Sequence, residues 1–129
     1  MPDPKIDESR FPLVVVSFQG APTDVELENA LQKMTGHLQR GQRMVHLLDA
    51  SGWGTPSGPH QQRLVRWFFD HVQQVKQWEA GCAVVFPNIF IRPIIQGFLA
   101  SKPLPCPVKV FGNRAQAEAW AASVLPSHP

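Results

Sequence analysis

The sequence predicts an α/β fold: a mostly parallel sheet of four to five strands with helices on both faces. Two observations support this prediction. Four short apolar runs alternate with four helix-like segments along the chain. The first run, LVVVSF at 13–18, is β-branched and apolar almost throughout, which is typical of a parallel strand buried on both faces.

The other predicted strands are 44–49, 82–86 and 108–111, the last being more polar, as in an edge strand. Residues 5–7 are a candidate for a short antiparallel edge strand. When the four main strands are numbered along the chain, right-handed crossovers favour the doubly wound order 2-1-3-4. That order places the first and last helices on one face and the middle two on the other.

Capping residues and apolar spacing define the predicted helices. Thr23 and Glu26 fit a capping box, and a stripe of apolar residues at helical spacing follows them. We expect a second helix at about 59–77, with a wide apolar arc, and a third at about 89–100 that is apolar nearly all round. Asn113 is predicted to cap the last helix.

Length and composition indicate one domain, 1–129, with an ordered core at about 11–125. The formal net charge of +2 favours neither nucleic acid nor an anionic membrane as a partner. No signal peptide or transmembrane segment is recognisable, so we expect a cytoplasmic protein. Cys82 and Cys106 are expected to be reduced structural thiols.

No motif for catalysis, metal or nucleotide binding stands out. The glycine-containing loop before the second helix lacks the lysine of a phosphate-binding loop. Asp49, Ser57 and His60 resemble a hydrolytic triad only by residue type, because Ser57 is not in a G-x-S-x-G elbow. The histidines lack metal-ligand spacing. We therefore predict a non-enzymatic protein without a cofactor or metal.

Loops at the carboxyl ends of parallel strands are where α/β domains place their sites. The loop at 49–58 is either a partner-binding or phosphorylatable loop above a helix N-terminus, or a plain connection. Arg92 either binds an acidic partner or phosphate, or pairs with Asp49 or a carbonyl group. The predicted partner or ligand surface comprises Asp49, Ser51, Trp53, His60, Trp67, Asn88, Phe90 and Arg92.

The order of these segments resembles the STAS superfamily. The most telling parts are LLDAS at 47–51 and VFGNRAQAEAWA at 110–121, and the similarity spans about 13–124. Within that superfamily the chain resembles the bacterial anti-sigma-factor-antagonist-like branch, SpoIIAA-like and related to CRAL-TRIO-like domains.

The resemblance implies a small α/β domain that acts by docking to a protein partner, in some members under control of serine phosphorylation. The phosphorylated turn in that family is Asp-Ser-Ser-Gly-like. Here the sequence is Thr55-Pro56-Ser57-Gly58, in which only Ser57 and Gly58 match. Ser57 is thus the phospho-acceptor that the resemblance implies, and a plain connecting loop is the other interpretation.

Two functional hypotheses follow. The first is a regulatory module that docks an unidentified protein partner, and also associates with itself, through the strand-end loops and the apolar surface of the middle helices. The alternative is a carrier of a small apolar ligand or lipid, with a pocket under the third helix. The nearly all-round apolarity of residues 89–99 favours the alternative.

Overall fold

The computed structural model describes residues 4–53 and 57–125 of the chain. They form a five-stranded sheet and five helices. The elements are β1 (Lys5–Arg10), β2 (Leu13–Ser17), α1 (Asp24–Leu38), β3 (Met44–Asp49), α2 (Gly58–Asp70), α3 (Val72–Trp78), β4 (Glu79–Val85), α4 (Arg92–Ala100), β5 (Val108–Phe111) and α5 (Arg114–Val124).

The sheet is mostly parallel, as predicted, with strands in the order β1-β2-β3-β4-β5. β1 pairs antiparallel with β2, and the other neighbours are parallel. The predicted order 2-1-3-4 is wrong, because the four main strands lie side by side in chain order. β1 occupies the edge of β2 that the predicted order had given to residues 44–49.

The strand order determines which face each helix covers. Successive crossovers run in one direction, so right-handed connections place their helices on one face. The larger core cluster accordingly joins Val14 and Val16 of β2 to buried residues of α1, α2, α3 and α4. Val15 faces the other way and shares a cluster with Ala117 of α5. The prediction that α1 lies on the same face as the last helix is therefore wrong.

The helix termini follow the predicted capping signals. Thr23 and Glu26 form the capping box of α1, each side chain accepting a hydrogen bond from the other residue's backbone N–H. The Asn113 side chain accepts from the Gln116 N–H at the start of α5. Both interactions satisfy amide groups that a helix cannot pair internally.

Two predicted helices differ in extent from those observed. The predicted helix at 59–77 divides at His71, whose backbone leaves the helical region, so that α2 and α3 are separate. The predicted helix at 89–100 begins only at Arg92, after a turn stabilised by the Asn88 side chain. β4 begins at Glu79, earlier than predicted, and that residue is buried inside the core.

Candidate functional site

The carboxyl ends of the parallel strands meet at one edge of the sheet, where we expected the site. Backbone hydrogen bonds continue past the strand ends and fix the loops to one another. The Phe18 N–H donates to Asp49 O, the Ala50 N–H to Val85 O, and the Phe86 N–H to Phe111 O, at 2.9–3.1 Å. The loops at this edge are therefore held in a defined arrangement.

Asp49 organises the loop that follows β3. Its carboxylate accepts hydrogen bonds from the backbone N–H and the hydroxyl of Ser51. Its other oxygen lies 3.6 Å from the Arg114 guanidinium of α5. Asp49 therefore pairs with Arg114, and not with Arg92 as one of the sequence interpretations had it. Residues 54–56 of this loop lie outside the described part of the chain.

Trp53 is buried, and so it is not an exposed binding residue of the loop. Its ring packs on Phe18 and Phe86, with centroid distances of 4.8 and 6.4 Å. The His60 ring lies 6.1 Å from it. The structure thus brings Trp53 and His60 together, but at the wall of an internal cleft.

Ser57 is the N-cap of α2. Its hydroxyl oxygen accepts the His60 backbone N–H at 3.1 Å. The His60 ring in turn contacts the exposed Asp24 carboxylate of α1 at 2.9 Å. Ser57 is exposed, so its hydroxyl is accessible at the start of a helix.

Trp67 does not belong to the surface that the sequence predicted. The side chain is buried between α1 and the sheet, and its indole N–H donates to the Thr35 hydroxyl at 2.9 Å. It also packs edge-on against the buried His46 ring. Trp67 of the predicted apolar arc therefore belongs to the core, whereas Phe69 is 41 % exposed.

Asn88 and Arg92 shape the turn after β4. The Asn88 side chain accepts the backbone N–H groups of Phe90 and Ile91, at 2.8 and 3.2 Å. The Arg92 guanidinium lies against Gly112, in the space that a β-carbon there would need. The Arg92 backbone N–H donates to the Asn88 carbonyl at 3.0 Å, whereas its guanidinium forms no ion pair or hydrogen bond within residues 4–53 and 57–125.

Three large apolar side chains project into solvent beside Arg92. Ile89, Phe90 and Ile94 are 64, 79 and 67 % exposed. Ile89 and Phe90 lie in the turn before α4 and Ile94 lies in the first turn of α4, so the three are close along the chain. We call these three residues the apolar patch. The sequence predicted Phe90 as a site residue but not Ile89 or Ile94. The one sequence feature that marked those two residues was the lack of polar residues around them.

An apolar cleft lies beneath α2 and α4. Its cavity volume is about 30 Å³, roughly that of one water molecule, and it opens in part to solvent. Its wall includes Leu48, Trp53, Leu64, Phe68, Ile95 and Phe98, with His60 and Gln61 as its polar members. Cys82 also lines it. The cleft lies where the sequence analysis expected a pocket under the predicted third helix.

Both cysteines are buried and unpaired. Burial raises the pKa of the Cys82 and Cys106 thiols well above the ordinary value, and the Glu79 carboxylate raises both further. Such thiols are poor nucleophiles. This agrees with the predicted structural role.

Within the described residues, no group of three His, Cys, Asp or Glu side chains is arranged to hold a metal ion.

A separate property concerns helix length and hydropathy. None of the helices described combines the length and apolar character needed to cross a bilayer.

Comparisons with known proteins agree with the architecture. No family model matches the sequence, and no curated protein sequence matches it. Among solved structures, the chain is similar to an uncharacterized protein of the DUF3478 family from Shewanella loihica PV-4, described as having a SpoIIAA-like fold. The TM-score is 0.65 at 14 % identity, covering 92 % of this chain and 91 % of that one. This chain therefore has a SpoIIAA-like fold.

Proposed function

We propose that this domain is a non-enzymatic regulatory module that binds a protein partner through the apolar patch. The observation that supports the proposal most directly is the exposure of Ile89, Phe90 and Ile94, 64–79 % each. Apolar side chains gain about 25 cal/mol for each Å² removed from water. Clustered apolar side chains that include an aromatic residue are typical anchors of protein interfaces.

The charged residues of the sequence that contains the patch define the partner further. Residues 80–117 contain Arg92, Lys102, Lys109 and Arg114 and no Asp or Glu. Arg114 is already paired with Asp49, whereas Arg92 has no charged partner within residues 4–53 and 57–125. Complementary charge favours specific association. We therefore expect the partner to present apolar side chains next to at least one carboxylate.

Site-specific photo-crosslinking tests this proposal. A photoreactive phenylalanine derivative replaces Phe90 in one variant and Val25 in a matched control, since Val25 of α1 is also exposed, at 68 %. Irradiation in the native cell should give a defined adduct from position 90 and not from position 25. Equal adducts from both positions, or none from position 90, would contradict the proposal.

Self-association through the surface of the second and third predicted helices remains a prediction from the sequence, and the apolar patch is an exposed part of that surface. A symmetric dimer is the commonest way to cover an exposed apolar surface. Sedimentation equilibrium at micromolar concentration measures it. A dimer that Phe90→Ser converts to monomer supports self-association, and a monomer at every concentration excludes it while leaving a different partner for the patch.

The apolar cleft favours a second candidate function, the binding of a small apolar ligand. Pockets for such ligands are predominantly apolar, and the surface that lines this cleft is apolar throughout. At its present volume the cleft would have to widen to admit a ligand. Only one residue of α4, Ile95, is buried, so this helix is weakly held over the cleft. Outward movement of α4 would widen the cleft.

Native mass spectrometry distinguishes the two functions. A carrier purified from its own host should retain a bound mass that is lost in Leu64→Trp, a substitution that fills the cleft. A bare protein mass from several hosts would argue against the carrier and leave the docking proposal unaffected, because the apolar patch is outside the cleft.

A further inference from the structure

A chain of titratable side chains runs through the core between β4 and α1. The Glu79 carboxylate accepts the His46 backbone N–H at 2.9 Å, and its other oxygen lies 2.6 Å from His46 Nδ1. His46 Nε2 lies 3.0 Å from His37 Nδ1. The Glu79 and His46 side chains are 0 % exposed and His37 only 5 %, so water cannot supply missing hydrogen bonds along most of this chain.

The outer end of the chain is on β1. His37 Nε2 lies 3.5 Å from the Glu8 carboxylate, which also pairs with the Arg40 guanidinium. Glu8 is 41 % exposed. The chain therefore connects a fully buried carboxylate to a solvent-exposed one through two imidazole rings, and it links the edge strand to the centre of the sheet.

The number of protons shared by these four side chains defines their preferred state. Three contacts join Glu79, His46, His37 and Glu8, and each contact needs one proton between its two acceptor atoms. Two neutral imidazoles carry only two N–H protons. With both carboxylates ionised, all three contacts become hydrogen bonds only when the imidazole pair holds one additional proton.

The charges agree with this count. With one imidazolium, the two carboxylates and Arg40 bring the cluster to zero net charge; without it, a net negative charge remains and two lone pairs face each other. A second imidazolium would place two cations in direct contact. Consistent with this, burial lowers the pKa of His37 and the neighbouring His46 ring lowers it further, while Glu8 opposes both.

We propose that Glu79, His46, His37 and Glu8 form a buried binding site for a single proton, whose occupancy fastens β1 to the core. The site is full at moderate pH. Removing the proton in alkali breaks one of the three hydrogen bonds, and the longest, between His37 and Glu8, is the weakest. β1 then loses its hydrogen bond with His37 of α1 and keeps the pair between Glu8 and Arg40.

The other titratable or charged groups near the site are hydrogen-bonded to other partners or are uncharged. His71 Nδ1 faces the Trp67 carbonyl at 2.9 Å, and its Nε2 faces the Thr35 hydroxyl. The Arg43 guanidinium donates to the carbonyls of Lys76 and Gln77 at the end of α3. Cys82 and Cys106 are thiols with a raised pKa and stay uncharged.

Two isosteric substitutions, one at each end of the row of four side chains, allow all three hydrogen bonds to form without the additional proton. In Glu79→Gln, the amide N–H₂ donates to His46 Nδ1, so both rings become neutral Nε2–H tautomers. In Glu8→Gln, the amide donates to His37 Nε2, so both rings become neutral Nδ1–H tautomers. Glu28→Gln is the matched control, since it removes a carboxylate that pairs with Arg63 and not, among residues 4–53 and 57–125, with any of the four side chains of the proton site.

Nitrogen-15 NMR of the histidine rings tests the proposal, with amide exchange as a second measurement. At pH 7 the wild-type pair should show three ring N–H protons, and each glutamine variant two, with the opposite tautomers described above. Between pH 7 and 9, the protection of β1 amides should fall about tenfold in wild type and in Glu28→Gln, but not in Glu79→Gln.

Two neutral rings or two imidazolium rings in wild type at pH 7 would overturn the proposal. So would a protection loss in Glu79→Gln equal to that of wild type. If either glutamine variant fails to fold, the proton count in the wild-type rings alone still decides the question.

Discussion

At the scale of single residues, Ser57 has a structural role that is independent of any modification. Its hydroxyl caps α2, and the loss of such a cap costs about 0.5–2 kcal/mol. We expect Ser57→Ala to lower the free energy of unfolding by about 1 kcal/mol, and Ser57→Asp to leave it nearly unchanged, because aspartate also caps helices. Urea denaturation of the three proteins measures both effects.

This has a consequence for the phosphorylation hypothesis. Any effect of Ser57→Ala on partner binding has to be corrected for the loss of the cap, and Ser57→Asp is the better variant because the cap is kept. Binding that is the same for wild type and Ser57→Asp would argue against a charge switch at this position. Equal stability of wild type and Ser57→Ala would contradict the capping role.

The sequence predicted which residues lie near the site, but not whether each side chain is buried or exposed. The carboxyl edge was predictable because parallel strands place their following loops together. The burial of Trp53 and Trp67 was not, since an apolar residue in a loop or on a wide helix face gives no sign of which neighbour covers it. The contact between His46 and Glu79 depends on the register of β3 and β4, which the sequence does not specify.

At the scale of elements, α4 differs from the other long helices in how it is held. It has one buried residue among nine, whereas α1 has seven among fifteen. Helices with few buried apolar contacts open with low free energy. We expect the backbone amides of α4 to exchange with solvent at least tenfold faster than those in the middle of α1.

Hydrogen exchange followed by mass spectrometry measures this difference on peptides from both helices. Comparing α4 with α5, which has two buried residues among eleven, gives an internal control. Equal protection of α4 and α1 would show that α4 is firmly attached, and the cleft beneath it would then not widen by movement of that helix.

The extents of the elements show where sequence patterns are sufficient. β3 and β5 have the predicted ends, since each is a short apolar run between turn residues. The division of the second predicted helix at His71 was missed, because apolar spacing continues through the break into α3. β4 was predicted to begin at Cys82, because the charge of Glu79 gave no indication that the chain was already buried.

At the scale of the whole molecule, the strand order was the main error. A central parallel strand is buried on both faces in either order, so the apolar composition of the strands does not distinguish the two orders. The decisive feature is β1, whose antiparallel pairing with β2 fills one edge of the sheet. Its exposed, charged sequence gave only a weak strand signal.

The pH dependence of stability also belongs to the whole molecule. Hydrogen bonds to arginine lower the pKa of Glu8, Glu28 and Glu118, and burial lowers that of His37. For each group the unfolded chain binds more protons in acid, so stability is lost as the pH falls. We expect the free energy of unfolding to decrease from about pH 6.5, through His37, and further below about pH 4.5, through the carboxylates.

Urea denaturation at pH 7, 6, 5 and 4 checks this sign. Added salt should reduce the carboxylate contribution, because those pairs are largely exposed, and affect the His37 contribution much less. A free energy of unfolding that is constant or higher at pH 4 than at pH 7 would contradict the proposed direction.

The central claim is that the apolar patch binds a protein partner, and the affinity of patch variants for the crosslinked partner tests it most directly. We expect Phe90→Asp combined with Ile94→Asp to raise the dissociation constant at least thirtyfold, equivalent to about 2 kcal/mol, because these substitutions place charge in an apolar interface. The control Val25→Asp should change it less than twofold. Unchanged affinity in the patch variant, with the fold intact by circular dichroism, would contradict the account.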